Sequence, residues 1–370
     1  MAPQLPFASR LGYFPGMQIG VCVASKIDDV GYIAHAENLG YSHAWVADSQ
    51  MIWSDCYAVL ALAAQRTRTI RLGTGVAIAG TRTAPVTAHS IATINRLAPG
   101  RTFLGIGTGN TAMRLMGQRP IKLNEYAEYL RVLRALLRGE EVDYTFGSHT
   151  APISFQMPDL GFIALDPPIP IYVSGFGPKA QALAGEHGDG LVMSIHPEPD
   201  FVLRARRNAQ RGADTAGRTL DRFHTCSLTT AIVMGPGDSL ADDRVIREAG
   251  PFALSSLHYI YERVRFEGGE PPAAVRPIWK DYVAAVEETP ESHRHMRIHA
   301  GHCTYIHADE ARFVTPELLR ASCLIGRPEE LIEKVRQLHA AGLDQLMLLP
   351  SLESQYSVIE QFSRAVMAKL

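Results

Sequence analysis

Short apolar runs alternate with helical patterns almost from end to end of this 370-residue chain, and that alternation constrains the fold more than any single motif. Gln18–Ala24, Ser42–Ala47, Ile70–Ala77, Arg101–Gly107, Ile171–Ser174, Gly190–Ser194, Phe223–Met234 and Gln345–Leu349 read as strands. Apolar residues recur at helical spacing over Asp28–Leu39, Asp55–Arg66, Val86–Leu97, Leu123–Arg138, Lys179–His187, Asp200–Ala213, Pro328–Ala341 and Val358–Lys369. Strands that are apolar throughout and followed by helices belong to a parallel sheet covered on both faces. Eight of them predict an α/β fold, a closed (β/α)8 TIM barrel. An open doubly wound sheet would carry its dinucleotide loop after the first strand, and Ala24–Asp28 has no glycine fingerprint there.

The alternation fails in two places. Phe146–Pro170 is a Pro- and Gly-rich excursion, and a longer break runs from Gly235 to Ile325. The second break holds helical pieces at Ala241–Ala249, Leu254–Phe266 and Trp279–Glu288, a Pro271–Pro272 turn and a histidine-dense segment. It lies between the seventh and eighth strands. Residues 235–325 are therefore expected as an insertion over the active-site face of a single domain spanning 1–370.

With 46% hydrophobic residues the chain can fill a large core, which excludes wholesale disorder. A net charge of −2, with Lys and Arg scattered, argues against nucleic acid or an anionic membrane as partner. The longest apolar run, around Tyr57–Ala64, is far too short for a bilayer span, and Met1–Gly16 lacks the basic start and apolar stretch of a secretory signal. The five cysteines, Cys22, Cys56, Cys226, Cys303 and Cys323, are widely spaced without C-x-x-C, which argues against a disulfide framework. A cytoplasmic protein acting on a small molecule is the expectation.

Two of the strands end abruptly in alternating glycines: Arg101–Asn110, RTFLGIGTGN, and Ile169–Lys179, IPIYVSGFGPK. The second runs straight into a helical pattern. Gly-x-Gly at a strand end brings bare backbone N–H groups to a ligand, and a helix N-terminus adds partial positive charge for an anion. The pair predicts one large phosphorylated cofactor bridging several strand ends.

His293, His295, His299, His302 and His307, with Cys303 among them, form the densest set of potential metal ligands. His295 and His299 stand at i, i+4, yet no Glu completes an H-E-x-x-H order. The reading is therefore no metal site. The segment is expected as a mobile lid, some of whose histidines contact substrate or a partner subunit.

Ala47-Asp48-Ser49, LGTGVAIAGTRTAP (Leu72–Pro85), ATINRLAPGRTFLGIGTGN (Ala92–Asn110), IYVSGFGPKAQALAGEHGDGLVMS (Ile171–Ser194) and GRPEELIEKVRQLHAAGLDQLMLLP (Gly326–Pro350) together resemble the bacterial luciferase-like superfamily. Within it they are most similar to the coenzyme F420-dependent reductases such as methylenetetrahydromethanopterin reductase. The likeness covers nearly the whole chain outside Gly235–Cys323.

The resemblance implies roles. Gly75-Val76 would be a non-prolyl cis peptide in a bulge beneath the concave face of an isoalloxazine-type ring. Asp48 would hydrogen-bond the cofactor or its neighbours, its plainer use being an N-cap. Trp53 would line the substrate side of the ring, where its plainer use is core packing. Gly107, Thr108 and Gly109 would run under the ring or its ribityl chain, with Asn110 facing the substrate. Ser174, Gly175, Phe176, Gly177 and Pro178 would hold the cofactor phosphate.

Two positions depart from the pattern of these reductases: Ser49 stands where His is frequent, and Asn110 where Glu or Asp is. Asn can hydrogen-bond a substrate but cannot act as general acid. The candidate catalytic residues are thus Asp48, Trp53 and Asn110. The implied activity is hydride transfer between coenzyme F420 and a small organic substrate at the C-terminal mouth of the barrel, in a homodimer. An FMN-dependent monooxygenase is the alternative. A metal-dependent barrel hydrolase and a non-catalytic cofactor-binding protein stand behind it.

Overall fold

The computed structural model describes residues 16–194 and 198–370, so the reading of the first fifteen residues lies outside it. Its strands are β1 Gln18–Val23, β2 His43–Val46, β3 Arg71–Ile78, β4 Thr102–Gly107, β5 Val142–Phe146, β6 His149–Ile153, β7 Ile171–Ser174, β8 Gly190–Met193, β9 His224–Thr229, β10 Ala231–Val233, β11 Leu324–Gly326 and β12 Gln345–Leu348. Eight of these close into a barrel in the order β1-β12-β9-β8-β7-β4-β3-β2. Every neighbouring pair in it is parallel. The (β/α)8 expectation holds, and the open sheet is excluded.

The apolar residues sort into two main cores. One is annular, between the outer face of the strands and the surrounding helices, and includes Val21, Ile33, Leu60, Leu72, Ile91, Leu104, Leu133, Leu191 and Phe362. The other fills the barrel's interior and continues into the insertion, joining Trp45, Phe103, Tyr172 and Met347 to Phe252, Leu257, Tyr261 and Tyr282. Trp45 and Phe103 lie 4.4 Å apart by ring centroid. Room for them comes from glycines: a Cβ at Gly73 would overlap the Phe103 ring, and one at Gly105 would come within 2.9 Å of the Trp45 ring. Part of the glycine pattern in LGTG and LGIG thus serves packing rather than a ligand.

Three differences from the sequence reading have physical causes. Phe223–Met234 is not one strand. The carbonyl of Thr229 accepts from Leu349 of the barrel at 2.8 Å, while that of Thr230 accepts from Leu324 at 2.9 Å. The ladder partner thus changes between adjacent residues, and β10 pairs in parallel with β11 outside the barrel. Leu324 and Ile325, expected inside the insertion, form the return strand of this ribbon.

Ala241–Ala249 and Leu254–Phe266 are not two helices but one, Asp243–Glu267, running through Pro251. An interior proline costs about 3 kcal/mol or more. Burial of Val245, Phe252, Leu257 and Tyr261 on one face, at about 1.5–3 kcal/mol for each large apolar side chain, outweighs that cost. The excursion before β7, finally, contains an antiparallel hairpin, β5–β6. Its burial pattern is mostly exposed, so hydrophobic periodicity left no trace of it.

All five cysteines are free and buried. Among the described residues no helix is long and apolar enough to cross a membrane.

Candidate active site

Parallel strands deliver the segments that follow them to one end of the barrel, and the residues singled out in the sequence collect there. Asp48 follows β2 and is buried. Its carboxylate accepts from Arg82, which follows β3 and also donates to Asp55 at 2.8 Å. The guanidinium lies 5.0 Å from the centre of the Tyr57 ring. Burial pushes the Arg82 pKa down, but the hydrogen bond and charge of Asp48 outweigh it and raise the value. Asp48 is not the helix cap. Asp55 is, accepting from the N–H groups of Tyr57 and Ala58 at 3.0 Å each. Asp48 and Arg82 therefore lock the segment after β2 to the one after β3. Arg82 lay inside a quoted motif, but nothing in the sequence paired it with Asp48.

The Gly75–Val76 peptide is cis, as the resemblance implied, and the β3–β4 register shifts between Thr74 and Ala77. A Cβ at Gly75 would come within 2.6 Å of Trp45 Cβ, so packing alone requires glycine there. Gly107 ends β4. A Cβ on it would meet Val76 at 3.1 Å and Ser174 at 3.3 Å, which places the ends of β3, β4 and β7 in contact. Gly109, at φ +89°, turns the chain after Thr108 into a short helix, Asn110–Leu115, that the sequence reading had not marked. Asn110 Oδ1 accepts from Arg114 Nε at 3.0 Å.

After β7 the two glycines of GFGP differ. A Cβ at Gly175 would lie within 2.9 Å of the backbone of Ala180, whereas one at Gly177 would meet nothing within 4 Å. Gly175 serves the close approach of strand and helix. Gly177 caps the Pro178–His187 helix with an open face, as an anion-binding helix start requires. The Phe176 ring stands edge-on to Tyr259 of the Asp243–Glu267 helix, 5.7 Å away.

That helix carries functional groups that nothing in the local sequence announced. Glu262 Oε1 is 3.1 Å from His299 Nε2, and Glu262 Oε2 lies 3.3 Å from Arg114 Nε. His258 Nε2 is 3.1 Å from Glu310 Oε1, with Arg297 3.5 Å from the other Glu310 oxygen. Burial pushes Glu310 upward, but the hydrogen bond and charge of His258, with Arg297 and His307, hold its pKa below the ordinary value. The His302 ring lies 5.7 Å from that of His299 and 6.0 Å from that of Trp53. Desolvation, then the charges of His299 and His258, holds His302 well below the usual histidine range.

The expected i, i+4 histidine pair does not act together, because His299 is buried on Glu262 while His295 is only half-buried. Among the described residues no three His, Cys, Asp or Glu side chains converge to hold a metal. Of the segment's histidines His299 instead enters a carboxylate pair, with Glu262 far away in sequence, and the neighbouring His258 makes the same kind of pair with Glu310.

Residues 23–345 match the family described as luciferase-like monooxygenase. The 5,10-methylenetetrahydromethanopterin reductase of Archaeoglobus fulgidus is 28% identical over 322 residues, 85% of this chain and 87% of that one. The F420-dependent hydroxymycolic acid dehydrogenase of Mycobacterium tuberculosis is 31% identical over 202 residues, 51% of this chain and 54% of that one. Among solved structures, the coenzyme F420-dependent tetrahydromethanopterin reductase of Methanopyrus kandleri superposes with a TM-score of 0.70 at 20% identity. It covers 95% of this chain and 99% of that one, a likeness of fold.

Proposed function

The chain belongs to the luciferase-like monooxygenase family, and on that footing we propose that it is an oxidoreductase passing hydride between coenzyme F420 and a small organic substrate. The reaction zone is the C-terminal mouth of the barrel. The observation that carries the choice of cofactor is the match to a methylenetetrahydromethanopterin reductase over most of both chains.

The residues fit a phosphorylated ring cofactor. Gly177 and the start of the Pro178–His187 helix offer an open anion seat beside Ser174, Gly175 and Phe176. Gly75-Val76 supports the ring from β3, while Gly107, Thr108 and Gly109 carry it across the end of β4. Trp53 Nε1 is buried without a hydrogen-bond partner, an orphan donor on the side assigned to substrate. When bound, the deazaflavin supplies the hydride; the chain orients substrate, excludes water and handles the proton. Asp48 holds the wall of the site through Arg82, and Asn110, engaged by Arg114, presents an amide to the substrate. The insertion closes the mouth, with Phe176–Tyr259 and Trp53–His302 as its contacts on two sides. The working form is a cytoplasmic homodimer, which sedimentation of the purified protein tests.

Titration of the purified protein with coenzyme F420 and with FMN, followed by absorbance, tests the reading. Tighter binding of the deazaflavin and substrate-dependent turnover without oxygen are expected. Tight FMN binding with strictly oxygen-dependent product formation replaces it with an FMN-dependent monooxygenase, the activity in the family's description.

A further inference from the structure

Ser49 and Asn110 leave the ends of β2 and β4 without a side chain that can give up a proton at neutral pH. Both strand ends nevertheless touch one buried polar assembly supplied by the insertion. From the β4 side the path runs from Asn110 to Arg114 at 3.0 Å, and from Arg114 to Glu262 at 3.3 Å. From Glu262 it reaches His299 at 3.1 Å and then the His302 ring, 5.7 Å from that of His299. From the β2 side, Trp53 reaches the same ring at 6.0 Å.

The arrangement within this assembly is directional. Glu262 and His299 are almost wholly enclosed, with side-chain exposures of 4% and 2%, and each engages the other. The Nδ1 atoms of His258, His299 and His302 are all buried without a hydrogen bond, but His258 and His299 engage carboxylates through Nε2, whereas among the described residues none pairs with His302. Trp53 Nε1, a donor that cannot accept, is orphaned in the same way. Leaving a buried donor unpaired is costly, because its water is lost and not replaced. An oxygen-bearing substrate would supply the missing acceptor.

Resting on the hydride-transfer reading above, we propose that His302 exchanges a proton with an alcohol or carbonyl substrate, with His299 and Glu262 as positioning residues behind it. In the oxidising direction the substrate C–H bond breaks and its electron pair leaves as hydride for the deazaflavin. The O–H bond breaks at the same centre, its proton passes to the His302 imidazole, and its electrons form the C=O bond. In the reducing direction the imidazolium returns that proton to the oxygen. Desolvation keeps His302 neutral at rest and makes its protonated form a strong donor, so return of the proton to the substrate oxygen is the easier direction. The charged groups that act on it are His299 and His258; behind them stand their carboxylates, Glu262 and Glu310, and the guanidiniums these engage, Arg114 and Arg297.

The test has two arms. In the cofactor-free protein, ¹⁵N NMR of the imidazoles follows the His302 resonance, assigned by its loss in His302→Gln. It is expected to stay neutral well below the ordinary histidine range and to move in Glu262→Gln. Titration like an exposed histidine, indifferent to Glu262, overturns the proposal.

In the loaded protein, reoxidation of reduced coenzyme F420 is followed with a panel of short aldehydes and ketones. With whichever is turned over, His302→Gln and His302→Asn should lower kcat about 10²-fold. Cofactor affinity and thermal midpoint should stay unchanged, and the rate should lose one limb of its pH profile. His299→Gln should displace that limb rather than abolish it. Wild-type kcat in a folded His302 variant removes the proposal while leaving the hydride reading intact. Binding of F420 without turnover of any panel member by the wild type overturns the alcohol–carbonyl assignment instead, and absence of F420 binding removes the hydride reading itself.

Discussion

His35 and Glu360 on the outside of the barrel, and His258 and Glu310 in the insertion, are the same chemical pair in opposite surroundings. The outer pair is 2.8 Å apart with side chains 33% and 40% exposed; the inner pair is 3.1 Å apart with exposures of 4% and 9%. Water screens the first, whereas the second must be satisfied from within the protein. The contrast extends to whole regions. The barrel's interior is mostly aromatic, Trp45, Phe103 and Tyr172, with one stacked imidazole pair, His43 and His224, among them and, among the described residues, no carboxylate bonded to those rings. The insertion encloses Glu262, Glu310, His258 and His299. One mouth is thus built from two materials, a largely aromatic scaffold and an assembly of paired carboxylates and imidazoles.

The largest expected effects set those materials against each other. Trp45→Ala should destabilise by about 3–5 kcal/mol through the cavity it leaves. Glu262→Leu should cost a similar 3–5 kcal/mol, but through Arg114 and His299 left without their carboxylate. Urea unfolding of double variants separates the causes. Adding His299→Leu to Glu262→Leu should recover part of the loss, while adding Phe103→Ala to Trp45→Ala should deepen it. Equal behaviour of the two doubles would erase the distinction.

Acid comes next. The Glu310 pKa is held below its unfolded value, so its stabilisation is present above that value and disappears as pH falls through the folded one. His302 and His43 are also depressed, chiefly by desolvation, so the unfolded chain binds their protons first. Stability should therefore decline from about pH 6.5, the ordinary histidine value, downward. Hydrogen exchange should show the Asp243–Glu267 amides losing protection before those of β3 and β4. Simultaneous loss would break the comparison.

A smaller effect divides the two glycines after β7. Gly175→Ala forces a Cβ against the backbone of Ala180 and should cost about 1–3 kcal/mol. Gly177→Ala meets open space and should stay within about 0.5 kcal/mol by thermal melting. Weaker binding of a phosphorylated cofactor by Gly177→Ala would then report on the ligand alone. Smallest of all, Glu360→Ala should change stability by about 0.2–1 kcal/mol, and high salt should reduce even that.

The barrel was legible because its strands are apolar throughout and its helices amphipathic, signals contained within short windows. Asp55–Arg66 and Leu123–Arg138 were recovered to within a residue or two for that reason. The β9–β10 boundary was not legible, because Thr230 looks like any strand residue until Leu324 arrives to claim its carbonyl. Nor was Asp243–Glu267 readable as one helix, since only tertiary burial overrides Pro251. At the candidate site the strand ends were named from motifs. Arg82, Arg114 and Glu262 were not, because each gains its significance from a partner far along the chain.

The β10–β11 ribbon has a consequence for how such a chain can diversify. The chain departs at Val233 and returns at Leu324, and Val233 and Leu324 sit in the same three-rung ladder. Everything between them hangs from a fixed stem, so its length and content can vary without altering the closure of the eight strands. The limit on exchange is the underside, where Phe252 and Leu257 share a core with Trp45 and Met347. A graft cut at the ribbon and matched on that apolar footprint would place a new cover over an unchanged barrel.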